Sequence, residues 1–350
     1  MIFIHLSHTD LDGFGCQLLT KEYFNNEGIY LNANYGLEVK LSLKKITDIM
    51  KENQDEEIFL LISDLNLTLQ ESKDLNKNIN MFNENGANIK VQLLDHHASG
   101  QKAADKFDWY LLDTTRCATK IVYDYINSEL DGFSDTTKEW LEPLVNAINA
   151  VDIWLDHDTK NFEFGKVCLR LIGRATEINQ ILFAELNREY RCHLLNEAAK
   201  YIGRENGHIL LDNDIHFIKK RFLQLDEKDD TIDNLSAKKL VNILDSKKDE
   251  LTVFYKEHKG LLTFSLGSIS IPANAFLKAN PEYDFFVDIS RKGNAGFRAD
   301  GKVDVSILAT KMAKGGGHPN ASGARFEDFK ETIIYDDVKK FIQRKLKEIE

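Results

Sequence analysis

Residues 88–97 read NIKVQLLDHH, an apolar run that closes on one aspartate and two adjacent histidines. The apolar part has the length and texture of a buried strand. Its end carries three groups that bind cations or move protons. The same grammar occurs twice upstream: MIFIHL (1–6) leads into HTDLDG, and EEIFLLISD (56–64) closes on Asp64. Between these strands lie helical patterns, FGCQLLTKEYFNNEG with Gly28 placed to cap it and TLQESKDLNKNINMFNENG with Gly86 at its end. A short strand at DWYLLD and a helix over TTRCATKIVYDYINSEL follow. Alternating strands and helices with long apolar strands predict a parallel sheet covered by helices on both faces. Ligands of such sheets bind beyond the carboxyl ends of the strands. Asp10, Asp12, Asp64, Asp95, His96 and His97 are therefore expected at one edge. The helix TKEWLEPLVNAINAVDIW, apolar along Leu141, Leu144, Val145, Ile148 and Val151, brings Asp152 to its end.

At 350 residues the chain exceeds the ~250 to 300 beyond which single cores tend to split. Residues 175–250 are polar and helix-rich, with an acidic break at DEKDDTIDN; from GLLTFSLGSISI onward the pattern changes to short strands, and a helical YDDVKKFIQRKLKEIE ends the sequence. The expected layout is an α/β domain over 1–195, a helical linker over 196–250 and a smaller α/β domain over 251–350. A formal net charge of −11 argues against a long polyanion as partner. Between Asp288 and Arg325, however, seven basic residues outnumber three acids, so a small anionic substrate is expected. No window approaches the ~18 apolar residues of a membrane span. MIFIHL lacks the basic start of a secretory signal, and the four cysteines form no CxxC pair. A cytoplasmic location in a reducing compartment is the expectation.

Carboxylates mixed with imidazoles favour a borderline-hard divalent ion such as manganese. Asp64 could bridge two such ions ~3.5 to 4 Å apart, with a water activated between them for in-line attack on phosphorus. Adjacent residues leaving a strand point to opposite sides, so one of His96 and His97 can bind metal while the other faces substrate. Farther on, GGGHPNASG (315–323) offers successive amides that approach an anion closely, and its small-residue run could open a helix. Arg298 is either an anion contact or the partner of Asp300 in a surface ion pair. His5 alternates inside a strand and reads as core, and Cys16 as a small packing residue on the first helix.

Taken in order, HTDLDG, the Asp64 of LISDL, LLDHH and the Asp152 of NAVDIW resemble the four motifs of the DHH phosphoesterase superfamily. The stretch GFRADGKVDVSILATKMAKGGGHPNASGARF resembles its substrate-binding DHHA1 domain. SHTDLDGFGC and RCAT bring the resemblance closest to the bacterial nano-RNase B type of oligoribonuclease. The resemblance implies two Mn2+ ions, with Mg2+ or another divalent ion as substitute. One would be held by His8, Asp10 and Asp64, the other by Asp12, Asp64, His96 and Asp152. His8 stands two residues before Asp10 where many relatives place the histidine four before, and the shorter spacing is that of the closer relatives. His97 would contact the scissile phosphate and assist the leaving group, and Arg298, Gly315, Gly316, Gly317 and His318 would bind substrate. The implied activity is hydrolysis of very short RNA to mononucleotides, with room for a homodimer. Cyclic dinucleotides or adenosine 3′,5′-bisphosphate are the alternative substrates. A nucleotide-binding regulator without catalysis is the alternative outside enzymes.

Overall fold

The computed structural model describes residues 1–350, which form two compact units, one of residues 1–176 and 188–218 and the other of residues 177–187 and 219–350. Residues 196–250 are divided between the two. In the first unit β1 (Ile2–Ser7), α1 (Leu11–Tyr23), β2 (Ile29–Asn32), α2 (Leu37–Glu52), β3 (Glu57–Ser63), α3 (Leu69–Glu84), β4 (Asn88–Asp95), the short α4 (Gln101–Ala104) and β5 (Tyr110–Leu112) follow one another. Next come α5 (Ala118–Glu129), α6 (Asp135–Asp152) and α7 (Thr159–Gly173), then α8 (Ala184–Ala199) and α9 (Gly207–Leu223), whose residues 184–187 and 219–223 belong to the second unit.

The five strands make one parallel sheet in the order β2-β1-β3-β4-β5, as the strand and helix alternation predicts. Alternation of side chains splits its core in two. Ile4, Leu6, Ile58, Leu60, Ile62 and Leu93 pack on one face with residues of α2 and α3. Phe3, Leu61 and Leu94 pack on the other with residues of α1, α5 and α6. His5 shares that second face and is fully buried, its ring bonded to Thr20 Oγ1 and Ser63 Oγ, both at 2.8 Å. Burial pushes this histidine down to about 3, with Arg188 acting in the same direction, so it is a neutral core residue.

Strand register places the chemistry. Ser7 lies opposite Ser63, Ser63 opposite Leu94, and the Asp64 amide donates to the Leu94 carbonyl at 3.1 Å. The three strands thus release Asp10, Asp64 and the Asp95 to His97 run at a single edge. Two local expectations are corrected. β2 and α2 fill the stretch between Gly28 and Glu56, to which the sequence reading assigns no element; the four residues of β2 are too short for a periodicity signal. Helix α1 ends at Tyr23, well before Gly28; Asn25 and Asn26 make the left-handed turn at φ 52° and 62°, a conformation that asparagine tolerates.

The second unit contains α10 (Ile232–Leu251), β6 (Thr252–Tyr255), β7 (His258–Phe264), α11 (Ser270–Ala279), β8 (Phe285–Ile289), β9 (Asn294–Ala299), α12 (Val305–Met312), β10 (Lys314–His318), β11 (Ala321–Arg325) and α13 (Tyr335–Glu348). Its six-stranded sheet has the order β10-β11-β9-β8-β7-β6, antiparallel except for the β7 and β8 pair. GGGH is therefore an exposed edge strand, and the small-residue run after it is a paired strand; no helix opens there. Close backbone approach explains the glycines. A Cβ at Gly315 would lie 2.5 Å from the Gly323 carbonyl oxygen and 2.7 Å from that of Ala309, whereas Gly316 has open space around it. No helix of the chain is long and apolar enough to cross a membrane.

Candidate metal centre

Helix α1 begins at Leu11, three residues earlier than its apolar pattern suggests, and this places both aspartates of HTDLDG. Asp10 is its N-cap and accepts from the Gly13 amide at 3.1 Å. A Cβ at Gly13 would sit 2.4 Å from the His8 carbonyl oxygen, so only glycine allows the turn this tight. Asp12 falls in the first helical turn and is buried. Its two oxygens accept from the Ala118 and Thr119 amides of α5 at 2.8 and 2.7 Å, and Thr119 Oγ1 donates to the Asp12 carbonyl. A helix N-terminus more than a hundred residues away thus orients this carboxylate.

Asp64 leaves β3 at φ 56°, a left-handed conformation rare for a residue with a Cβ and found preferentially at functional sites. It is the hub of the cluster. His8 Nδ1 lies 2.7 Å from Asp10 Oδ2 and 3.6 Å from Asp64 Oδ2. His96 Nε2 lies 3.4 Å from Asp64 Oδ1 and 3.6 Å from both Asp12 Oδ2 and Asp152 Oδ2. His8, Asp10, Asp12, Asp64, His96 and Asp152 are therefore brought together from β1, α1, β3, β4 and α6. His97 stays beside the cluster, its Nδ1 4.0 Å from Asp64 Oδ1, and Asp64, His96 and His97 offer ligand atoms within 4.8 Å of one another. His97 Nδ1 bonds to Asp95 Oδ1 at 2.8 Å, and the buried Asp95 accepts from the Tyr110 hydroxyl at 2.8 Å through its second oxygen.

The charges show what this cluster is built for. Burial pushes the Asp64 carboxyl well above the usual range, with Asp12 acting in the same direction. Asp152 is raised to about 7, by burial and again by Asp12. Burial works against charge on His8, but its hydrogen bond to Asp10 and the Asp64 carboxylate close by outweigh it and raise His8 to about 10. Desolvation opposes charge on Asp10 as well, yet the His8 contact draws it down to about 2. Four carboxylates face one another with no lysine or arginine paired to any of them. Asp64 Oδ2 is buried without a hydrogen-bond partner, the state of an oxygen whose partner is a cation. The oxygen and imidazole donors fit a divalent ion of intermediate hardness.

Of the residues expected to bind substrate, Arg298 lies on β9 opposite Ala321, its guanidinium bonded to the Ser270 hydroxyl at 2.9 Å. No ion pair with Asp300 forms, and His318 ends the exposed strand β10. Several residues of the first unit carry no site signal of their own in the sequence. Tyr110 stands behind Asp95, which was expected at this edge and holds His97. Asn149, one turn before Asp152, accepts from the Cys117 amide at 2.8 Å. Cys117 Sγ, an Asp12 oxygen and an Asp152 oxygen lie within 4.8 Å of one another. Tyr35 places its ring 5.4 Å from that of His8 and 6.2 Å from that of His97. The RCAT segment was the one signal for any of them; Tyr35 sits in a loop without a pattern.

No family model matches the chain. It is 43% identical over 339 residues to a 3′,5′-cyclic-nucleotide phosphodiesterase of Helicobacter pylori, covering 97% of each protein. The chain belongs to the DHH phosphoesterase superfamily. This DHH phosphodiesterase is also 25% identical to the oligoribonuclease NrnB of Bacillus subtilis over 335 residues, 92% of the chain and 72% of the relative. Among solved structures, an uncharacterized protein from Helicobacter pylori G27 matches with a TM-score of 0.93 and 42% identity over 99% of both chains. The DHH assignment makes the chain a hydrolase of phosphoester bonds.

Proposed function

We propose that this DHH phosphodiesterase is manganese-dependent and hydrolyses small nucleotide phosphodiesters, with a 3′,5′-cyclic nucleotide as the first substrate to test. One observation carries the reading: two histidines and four aspartates from five elements face one another, with Asp64 Oδ2 buried and without a hydrogen-bond partner among them, beside a further histidine held by a carboxylate. His8, Asp10 and Asp64 would hold one ion, and Asp12, Asp64, His96 and Asp152 the other. Such ions supply Lewis-acid polarisation of the phosphoryl group and activation of the attacking water. The protein's own part is to fix geometry and protons. The α5 amides lock the Asp12 carboxylate in one orientation. Asp95 takes the Nδ1 side of His97, which leaves Nε2 to contact the phosphate and to deliver a proton to the departing oxygen. Arg298, Gly315, Gly316, Gly317 and His318 form the proposed substrate-contact set of the second unit.

The cyclic substrate comes first because the relative of that activity is 43% identical over nearly the whole chain. Short oligoribonucleotides are the second reading, favoured by the similarity to oligoribonuclease NrnB. A panel of 3′,5′-cyclic AMP and GMP, di- to pentaribonucleotides, a cyclic dinucleotide and adenosine 3′,5′-bisphosphate, assayed with manganese and with chelator, tests the proposal. The expected result is diester cleavage that requires the metal. Release of phosphate from the bisphosphate alone would overturn it.

A further inference from the structure

We infer that Cys117 is a ligand-grade residue of the metal centre, and that its thiolate joins Asp12, His96 and Asp152 around a thiophilic divalent cation such as Zn2+ or Co2+. The inference rests on the metal-centre reading above and adds to it a soft donor and a metal preference. Cys117 is the N-cap residue of α5, fully buried. Serine, threonine, asparagine or aspartate at that position would cap the helix through a side-chain oxygen. Here that work is already done from outside, since Asp12 takes the Ala118 and Thr119 amides, and the Cys117 side chain makes no capping bond. The residue's own backbone is pinned by Asn149 on α6, the helix that carries Asp152. Pinned between the helices that carry or orient two ligands, its sulfur shares one small space with the Asp12 and Asp152 oxygens. His96 Nε2 approaches the same two carboxylates at 3.6 Å each, so the proposed donors are two oxygens, one nitrogen and one sulfur.

Simple packing is a poor account of this thiol. Cys16 on the neighbouring α1 pairs its thiol with the neutral Thr119 hydroxyl at 3.8 Å, whereas Cys117 faces two carboxylates, and its thiol as such can satisfy only one of them, through a hydrogen bond to Asp12. A thiolate, by contrast, shifts a mixed oxygen and nitrogen site toward softer ions. The consequence is a centre that binds Zn2+ or Co2+ more tightly than an all-oxygen and nitrogen site would, and in competition with Mn2+.

The test is optical and needs no turnover. Chelator-stripped full-length protein is titrated with Co2+, and separately the competition between Zn2+ and Mn2+ is measured by metal content after dialysis. Wild-type protein should develop a near-ultraviolet thiolate-to-cobalt charge-transfer band along with visible ligand-field bands. Cys117→Ser should bind Co2+ without the charge-transfer band, and its Zn2+ over Mn2+ preference should fall by ~10-fold or more. Cys16→Ser should keep the band. Ligand-field bands without a charge-transfer band in the wild type, or a band that survives Cys117→Ser, would overturn the inference while leaving the metal centre standing. Absence of any Co2+, Zn2+ or Mn2+ binding would instead overturn the metal centre itself. Should Cys117→Ser fail to fold, the wild-type spectrum still decides between a thiolate ligand and none.

Discussion

Asp95→Asn isolates the contribution of a residue that touches neither cation nor substrate in the proposed scheme. Asp95 is fully buried and makes two side-chain hydrogen bonds, one to His97 Nδ1 and one from Tyr110. The bond to His97 is charge-assisted, a class worth ~1.5 to 3 kcal/mol. At 1.36 kcal/mol per decade this becomes a loss of roughly 10- to 150-fold in kcat if the bond acts by holding His97 in its working orientation. An amide can also donate toward Nδ1, which would disfavour the doubly protonated ring from which Nε2 gives up its proton and add to the loss. Tyr110→Phe removes a single donor to the same carboxylate and should cost less, about 5-fold for ~1 kcal/mol. The assay measures kcat and KM on a cyclic nucleotide, with bound metal determined on the same preparations. Metal content and KM should stay near wild type while kcat falls. Metal loss in Asp95→Asn as complete as in Asp64→Asn would refute the reasoning, because it would make Asp95 a ligand.

His96→Ala should lose metal and rate together, and His97→Ala should keep near-normal metal and lose ~10²- to 10⁴-fold in turnover; equal metal loss in both would reverse the two roles. In chelator, the raised Asp152 carboxyl makes stability depend on pH with a definite sign. Its pKa of about 7 in the folded chain exceeds the ordinary value of 3.8, so between these limits the folded state holds more protons. Its contribution is fully present below ~4 and is lost as pH rises through ~7. The thermal midpoint of the metal-free protein should therefore fall more between pH 5 and pH 8 than that of Asp152→Asn; equal falls would contradict the shift. Arg298→Ala should lower kcat/KM on a dinucleotide by roughly 10- to 100-fold, as expected for the loss of a charged hydrogen bond. A minimal chromogenic phosphodiester should be hydrolysed nearly as before, and an equal loss on both would place Arg298 at the reacting centre.

The sheet and its acidic edge were legible because strand ends carry their chemistry in sequence order. Ile58 to Asp64 and Ile89 to His97 each combine an apolar run with a ligand in one short window, and topology does the rest. What stayed hidden depends on contacts distant in sequence. No window shows that the Ala118 and Thr119 amides hold Asp12, that Tyr110 stands behind Asp95, or that Cys117 faces two aspartates. The expected helix after GGGH is absent for a local reason. Small residues suit a close strand neighbour as well as a helix start, and here β10 pairs with β11. The apolar periodicity starts at Phe14 because a cap and a first turn holding Asp12 and Gly13 leave no mark in it; α1 itself starts at Leu11, with Asp10 as its cap within the cluster.

The most direct measurement strips the protein with chelator, determines residual metal, and then titrates Mn2+ while following phosphodiester hydrolysis and bound manganese together. The account predicts no hydrolysis in the stripped protein, recovery that tracks uptake of two Mn2+ per chain, and little recovery with Ca2+. Full activity in excess chelator with no residual metal would contradict it.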